Sequence, residues 1–186
     1  MKSNLFISIR LTIVFALFFC IFYTSLILIA STFVPNKGKG SVVIDGNRVF
    51  FQEIGQSFTY DKYFNSRPSA VGYNAAGSGG SNKGPSNPQY LNEVKARIDS
   101  FRIHNPDVHN EAIPSELVTA SGSGLDPDIS IQAAMIQVKR IAKVRHISED
   151  AIVRIIEHYA EKPLFGIFGP RKLNVLKINL ALDKLK

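Results

Sequence analysis

Residues 11–36 read LTIVFALFFCIFYTSLILIASTFVPN, and this stretch contains no Asp, Glu, Lys or Arg. Phenylalanine, leucine and isoleucine make up most of it. An α-helix rises about 1.5 Å per residue, so the stretch could extend roughly 39 Å, enough to cross a hydrocarbon core of about 30 Å with some tilt. The hydroxyl groups inside it can donate to carbonyls of the same helix. They belong to Thr12, Thr24, Ser25, Ser31 and Thr32.

Two other structures fit a similar composition. A buried helix of a soluble core rarely stays apolar on all sides over such a length. A cleaved signal peptide has an apolar region of about 7–15 residues followed by small residues, whereas the best candidate cleavage site, residues 28–30, has leucine where a small residue belongs. We therefore expect a short leader at 1–10, a retained transmembrane helix at 11–34 and one domain at 35–186.

The rest of the composition describes an ordinary globular domain. The chain has 186 residues and a net charge of +7, which falls to +5 without Lys2 and Arg10 of the leader. The sequence has no basic run with interleaved aromatic residues, which is the pattern typical of nucleic-acid binding. Binding to an anionic membrane or to an acidic partner is therefore the simpler interpretation of the positive charge. The single cysteine, Cys20, lies in the apolar stretch. The domain therefore has neither a disulfide nor a cysteine nucleophile.

Charge alone does not fix the orientation of the helix in a membrane. Lys2 and Arg10 precede the apolar stretch, and Lys37, Lys39 and Arg48 follow it. A large domain after the helix can cross the membrane regardless of such charges. We expect the domain to lie outside the cytoplasm.

The domain begins with a predicted hairpin. Residues 42–44 and 49–51 are β-formers, and Asp45-Gly46-Asn47 between them suits a turn. Residues 54–64 mix aromatic and polar residues without a clear period, which predicts an irregular segment.

A loop and a helix come next. Residues 66–88 are rich in small and turn-forming residues. They end in Asn87-Pro88, which is typical of a helix N-cap followed by proline at the first helical position. The predicted helix ends at Asn105-Pro106, and a second loop covers 106–128.

Two more helices and a strand complete the prediction. Ser130 or Asp128 can cap a helix whose apolar face runs from Ile131 to Ala142, and Ser148 can cap another. Residues 176–182 alternate apolar and polar side chains, which predicts a half-buried strand. The fold class expected is α+β: one N-terminal transmembrane helix followed by a single mixed α/β domain with a small sheet.

The candidate catalytic and metal-binding motifs are incomplete. Gly79 and Gly84 have the separation of a phosphate-binding loop, but Pro85 stands where lysine is required. Ser78 lies among glycines, but no strand precedes it as a nucleophile elbow requires. The four histidines do not share a helix face at metal-ligand spacing. We expect neither a catalytic residue nor a metal site.

Several longer motifs lie in and around the two loops. They are residues 67–70 (RPSA), 78–82 (SGGSN), 84–88 (GPSNP), 117–127 (LVTASGSGLDP) and 179–183 (NLALD). With these motifs the sequence resembles the KdpC family, the accessory subunits of the high-affinity Kdp potassium-transporting ATPases of bacteria. The resemblance covers the whole chain, including the single helix near the amino terminus.

The resemblance implies a subunit that neither hydrolyses ATP nor conducts potassium. Its partners would be a channel-like potassium-binding subunit, a P-type ATPase subunit and a small membrane peptide. It would sit in the bacterial inner membrane with its domain on the extracytoplasmic side, serve assembly, and act as a catalytic chaperone that raises the ATP affinity of the pump subunit. No cofactor is expected to bind firmly, and ATP only within the complex.

The failure of the catalytic motifs agrees with an interaction subunit, because loops rich in glycine and proline let a backbone lie close to another surface. We expect loops 66–88 and 117–128 to meet a partner, and for Arg67 a role in organising the loop competes with partner contact. The alternative is a membrane-tethered solute-binding or hydrolase domain that acts without a partner. The candidate contact residues are Arg67, Ser69, Ser78, Gly79, Gly80, Asn82, Thr119, Ser121, Ser123 and Asp126.

Overall fold

The structure is a computed structural model that describes residues 2–108 and 113–185. The chain divides into two compact units, Met1–Val42 and Val43–Lys186. Each unit has its own secondary structure, and the two are described in turn.

The first unit is dominated by helix. Helix α1 (Lys2–Leu17) continues through a π-helical segment (Phe18–Tyr23) into helix α2 (Thr24–Ser31). The helix therefore also includes residues that we expected as a leader. Within residues 4–31, an 18-residue window has a mean hydropathy of 2.7 and is not buried, which makes residues 4–31 a candidate membrane span by length and composition.

Hydroxyl groups in this helix donate back to its own carbonyls, as predicted. The hydroxyl of Thr12 donates to the carbonyl of Ser8, and that of Thr24 to the carbonyl of Phe19 in the π-helical segment. Ser31 donates in the same way to Leu28. These side chains thus present no free hydroxyl donor to a hydrocarbon surrounding.

The second unit combines short strands with five helices among its described residues. Its first half holds a hairpin of β1 (Val42–Asp45) and β2 (Arg48–Phe51), then a long irregular segment, then helix α3 (Pro88–His104). Its second half holds β3 (Asp128–Ser130), α4 (Ile131–Met135), α5 (Val138–Arg145), α6 (Glu149–Tyr159), β4 (Lys172–Asn174) and α7 (Val175–Lys184). Strand β3 pairs antiparallel with β4, and Ile129 lies opposite Leu173.

These elements confirm the α+β prediction. The three predicted caps are also present: the side chains of Asn87, Ser130 and Ser148 accept hydrogen bonds from the backbone N–H groups of Tyr90, Ala133 and Ala151. Asp128 lies in β3 instead of capping a helix, and Lys172 pairs with its carboxylate at 2.6 Å.

The predicted strand at residues 176–182 is wrong, because these residues form α7. Its buried residues are Val175, Leu176, Ile178, Asn179, Ala181 and Leu182, which is the spacing of one helix face. Asn174 caps this helix by accepting from the N–H of Lys177 at 3.1 Å. The alternation of apolar and polar residues at 176–182 favoured a strand. The buried face of α7 also includes Val175, Asn179 and Ala181, which do not follow that alternation.

The single predicted helix from Ile131 to Ala142 is broken into α4 and α5. Gln137 lies at the break, fully buried, and its side-chain N–H donates to the carbonyl of Ala133 at 2.9 Å. Its side-chain oxygen accepts from the backbone N–H of Asn65 and from Arg140. The break between α4 and α5 therefore places the side-chain amide of Gln137 where it binds Asn65 of the irregular segment.

A buried cation fixes the irregular segment to α5. The Arg140 guanidinium donates to five acceptors at 2.7–3.1 Å and is only 5% exposed. These acceptors belong to Asp61, Tyr63, Asn65, Asn105 and Gln137. Burial lowers the pKa of Arg140 to about 10, against a smaller opposing effect of Asp61, so the group stays charged at neutral pH.

The apolar core lies between α4, α5, α6, α7 and this irregular segment. Its fully buried large side chains include Phe64, Ile141, Ile152, Ile156, Leu173, Ile178 and Leu182. Asn179 of α7 holds Phe64 by both backbone groups, accepting from its N–H at 2.9 Å and donating to its carbonyl at 3.0 Å.

A candidate docking surface formed by two loops

The structure brings loops 66–88 and 117–128 together through backbone hydrogen bonds. The N–H of Gly79 donates to the carbonyl of Ser123 at 2.8 Å, and the hydroxyl of Ser78 donates to the same carbonyl at 3.0 Å. The N–H of Ser121 donates to the carbonyl of Pro68 at 3.0 Å. Two segments about 45 residues apart in the chain thus form one surface.

Glycines allow this close approach of the two loops. A Cβ at Gly80 would lie 3.0 Å from the carbonyl oxygen of Gly122. Gly124 has a φ of +68°, and a Cβ there would lie 2.6 Å from Val71 Cγ2 and 2.7 Å from the carbonyl oxygen of Gly79. A side chain at Gly124 would therefore be strained and crowded at once.

An ion pair closes the base of the two loops. Arg67 Nη1 lies 2.6 Å from Asp126 Oδ2, with the two side chains 25% and 31% exposed. The other carboxylate oxygen of Asp126 accepts from the N–H of Asp128 at 3.0 Å. The ion pair gives Arg67 a role in organising the loops, and contact of Arg67 with a partner stays a prediction.

A tight turn follows Arg67. The Ser69 hydroxyl oxygen accepts from the N–H groups of Val71 at 3.2 Å and Tyr73 at 2.9 Å. Tyr73 has a φ of +58°, and its phenol donates to the carbonyl of Arg67 at 2.7 Å. Burial raises the pKa of Tyr73 above its usual value, against a smaller effect of Arg97, so the phenol remains a donor at neutral pH.

Helix α3 supports the far side of both loops. Lys83 Nζ lies 2.6 Å from a carboxylate oxygen of Glu93, and this hydrogen bond is the main cause that lowers the pKa of Glu93. Arg97 donates to the carbonyl of Val118 at 3.2 Å. One helix therefore contacts each loop through a charged side chain.

The predicted contact residues divide into exposed and structural ones. Ser78, Asn82 and Ser123 are exposed, together with Gly77 and Gly122 beside them. Ser121 is 2% exposed, so its side chain is part of the interior. The hydroxyl of Thr119 donates to the carbonyl of Ser115 at 2.8 Å, which stabilises the short 3₁₀ turn Ser115–Leu117. Contact of these residues with a partner stays a prediction.

Several residues that hold this surface were absent from the predicted set. The N–H of Gly55 donates to the carbonyl of Leu125 at 2.7 Å, and a Cβ there would lie 2.5 Å from the carbonyl oxygen of Asp126. Tyr73 and Arg97 also hold it. Gly55 and Arg97 act on a segment distant in sequence, whereas Tyr73 donates to Arg67 in its own loop. Only the presence of glycine at position 55 gave a local signal.

Within residues 2–108 and 113–185, no group of three or more His, Cys, Asp or Glu side chains could hold a metal ion. His104 Nδ1 instead lies 2.8 Å from Asp61 Oδ1 at the surface. The surface of the two loops consists of backbone groups, hydroxyls and ion pairs, which suits contact with another macromolecule.

Comparison with known proteins agrees with this description. Residues 5–184 match the family described as "KdpC: K+-transporting ATPase, c chain". A protein of Bacteroides fragilis is 50% identical over 183 residues, which is 96% of each chain. Proteins of Bacteroides thetaiotaomicron and Flavobacterium psychrophilum are 50% and 48% identical over 99% of this chain and 100% of their own. All three carry the name "Potassium-transporting ATPase KdpC subunit". The chain is therefore a member of the KdpC family of potassium-transporting ATPase subunits.

Proposed function

We propose that this chain is a non-catalytic accessory subunit of an ATP-driven, potassium-importing Kdp complex. It is held in the bacterial inner membrane by the helix at residues 4–31, with the folded domain on the extracytoplasmic side. Its partners are the channel-like potassium-binding subunit, the P-type ATPase subunit and the small membrane peptide. It stabilises their assembly.

The observation that carries this proposal is the two-loop surface in a member of the KdpC family. Loops 66–88 and 117–128 are tied to each other by the Gly79–Ser123 hydrogen bond and the Arg67–Asp126 ion pair. A surface that is ordered before binding loses less conformational entropy when a partner docks. The exposed glycines on it let another backbone come close.

The anchor contributes to the same function. A protein confined to a membrane meets a partner in the same membrane at a raised effective concentration. A docking surface made of weak polar contacts can then hold a stable complex, although the same surface would bind only weakly in solution.

The effect on ATP is proposed to pass through the assembled complex. As a catalytic chaperone, the subunit would raise the ATP affinity of the pump subunit by stabilising one of its conformations, since a ligand equilibrium shifts only by differential binding to two states. The test compares the KM for ATP of the purified complex with and without this chain. A KM that does not depend on this chain would rule out the chaperone role and leave the assembly role intact.

The docking role is tested by adding bulk to the surface without disturbing the fold. A Cβ at Gly77 or Gly122 meets open space, and neither residue has a positive φ. Gly77→Tyr and Gly122→Tyr should therefore fold, yet co-purification of the variants with the other Kdp subunits in detergent should fall by about tenfold or more. The matched control is Arg154→Tyr, on the exposed side of α6.

Retention of Gly77→Tyr and Gly122→Tyr at the level of the control would show that partners bind elsewhere. Release of Arg154→Tyr together with the loop variants would show that α6 docks as well. Turnover of an ester or tight binding of a solute by the chain alone would instead favour a tethered enzyme or binding domain.

A further inference from the structure

A short turn between α6 and β4 carries the most exposed apolar cluster of the second unit among the residues described. Leu164, Phe165, Ile167 and Phe168 are 64%, 84%, 76% and 62% exposed. Each of these residues would lose contact with water on burial, which is strongly favourable for side chains of this size. Adjacent exposed apolar groups of this kind mark a contact with a protein or a membrane.

The turn is ordered by its own hydrogen bonds. The N–H of Leu164 donates to the carbonyl of Phe168 at 2.9 Å, and the N–H of Phe168 donates back at 3.0 Å. The backbones of Glu161 and Lys172, on either side of the turn, form a second antiparallel bridge. The apolar side chains are therefore presented by a closed hairpin and not by a free chain end.

Phe165 occupies a backbone conformation that phenylalanine rarely adopts. Its φ is +54°, a region where glycine, asparagine and aspartate are the usual residues. A bulky aromatic residue at such a position carries backbone strain. Its presence there indicates that the side chain itself has a function at the tip.

Basic side chains lie at the base of the turn. Lys162 is exposed, and the side chains of Arg171 and Lys172 are each 45% exposed. Arg171 pairs with Glu157 across open surface, where ion pairs are weak. Lys172 pairs with Asp128, whose side chain is 18% exposed, and with Glu161 at 3.6 Å. An apolar tip with exposed basic side chains near its base matches the interface of an anionic bilayer, where acyl chains lie below phosphate groups.

The chain length keeps a bilayer within reach. Residues 32–41 separate the end of α2 from β1, and ten residues span at most about 34 Å. A folded domain of this length has a radius of gyration of about 15 Å. A tether of this reach and a domain of this size allow a surface turn to contact the membrane that holds the anchor.

We propose that the turn of residues 164–168 inserts into the interfacial region of the bilayer, with Lys162, Arg171 and Lys172 against lipid phosphates. The turn is then a second membrane contact that restricts the rotation of the domain about its tether. This inference depends on the membrane anchoring proposed above, but not on docking to other subunits.

The absence of tryptophan from the sequence gives a direct test. The full-length Phe165→Trp variant carries a single tryptophan at the tip, and Tyr60→Trp is a control at a side chain 72% exposed in the irregular segment. Each is reconstituted alone into vesicles of phosphatidylcholine and phosphatidylglycerol at a ratio of about three to one. Parallel vesicles contain phosphatidylcholine brominated on its acyl chains, which quenches tryptophan on contact.

Insertion predicts that Phe165→Trp emits at shorter wavelength than Tyr60→Trp and loses roughly half of its intensity or more in brominated vesicles. Tyr60→Trp should keep its intensity in both. Phe168→Trp is a second probe for the case in which Phe165→Trp does not fold. Adding Phe165→Asn to the Phe168→Trp chain should reduce its quenching, because asparagine suits the backbone but not the acyl chains.

Water-like emission and equal intensity of the tip probe in both kinds of vesicle would overturn the inference. A shift to shorter wavelength that needs the other Kdp subunits and shows no bromine quenching would do so too, because the turn would then bind protein. Flotation of the chain with the vesicles tests the anchor separately. A chain that floats but shows no quenching at the tip refutes only the inserted turn.

Discussion

Arg67 and Asp126 lie 59 residues apart in the chain, and their side chains form an ion pair of 2.6 Å between the two loops of the candidate docking surface. A pair at this level of exposure contributes little by itself, typically about 1 kcal/mol or less. Its position at the base of both loops gives it a larger role in their arrangement than in overall stability.

A double-mutant cycle measures this contribution. We expect Arg67→Met and Asp126→Asn each to lower the free energy of unfolding, and the double variant to lower it by less than the sum, with a coupling of about 1 kcal/mol. The measurement is urea unfolding of the full chain in detergent, followed by near-ultraviolet circular dichroism of its tyrosines. Additive effects would mean that the two side chains stabilise the loops independently.

Two glycines of the same loop should differ in how strongly they respond to alanine. Gly124→Ala places a Cβ against Val71 and Gly79 at a φ of +68°, whereas Gly122→Ala meets open space. We expect Gly124→Ala to lower the free energy of unfolding by about 2 kcal/mol or more and Gly122→Ala to change it by less than about 0.5 kcal/mol. Equal values for the two variants would refute the close packing of the loops.

The buried guanidinium should be among the most sensitive positions of the second unit. Arg140→Met removes the hydrogen bonds to five acceptors, of which the Gln137 oxygen keeps the Asn65 N–H as a donor, so we expect a loss of about 3 kcal/mol or more in the free energy of unfolding. Lys139→Met, at the exposed neighbouring position on α5, should stay within about 0.5 kcal/mol of the wild type. A small effect of Arg140→Met on unfolding would show that other contacts hold the irregular segment.

Acid stability should depend on Asp183 at the end of α7. Burial acts to raise the pKa of Asp183, but hydrogen bonds from Arg145 and Tyr63 outweigh it, so the pKa lies below the ordinary value of 3.8. The carboxylate therefore stabilises the fold fully above pH 3.8, and this contribution is lost as the pH falls from there through the lowered pKa.

The check is the thermal midpoint of the wild type and of Asp183→Asn between pH 2 and 7, roughly the range in which carboxylates titrate. The two midpoints should differ by a constant amount at neutral pH and converge below about pH 3.8. Asp99→Asn, at an exposed position on α3, serves as control. A gap that persists unchanged to the lowest pH would mean that the ionised form of Asp183 is not responsible.

Local signals in the sequence were enough for many elements of the fold. The hairpin at β1 and β2 follows from its turn residues, and the starts of α3, α4 and α6 follow from the caps Asn87, Ser130 and Ser148. A cap satisfies orphan N–H groups within three residues, so the information lies within one helical turn of sequence.

Contacts between distant residues were not predictable in this way. Asn179 binds Phe64 across 115 residues, and Arg140 binds Tyr63 across 77. In the sequence, polar side chains at such positions cannot be distinguished from ordinary surface residues, because their partners are brought close only by the fold. The same limit explains the error at α7, where the burial of Asn179 was not foreseen and the apolar alternation therefore favoured a strand.

The glycines in the sequence indicated where the candidate site lies, but the hydrogen bonds within the site could not be predicted. Residues 78–80 and 122–124 indicated two loops suited to a close approach, and the structure shows that their closest approach is to each other. What these loops can offer a partner is therefore their exposed outer edge, at Gly77, Ser78, Asn82, Gly122 and Ser123.

Site-specific photocrosslinking tests the central claim most directly. A photoreactive phenylalanine derivative replaces Ser86 in one chain and Arg154 on α6 in another, and each chain is co-expressed with the other Kdp subunits. Ser86 is an exposed residue of loop 66–88, away from the two glycines where added bulk should block docking. The account predicts that illumination of the membranes links the chain with the probe at position 86, but not the chain with the probe at 154, to a second subunit. An unlinked chain at position 86 beside a properly assembled complex would contradict it.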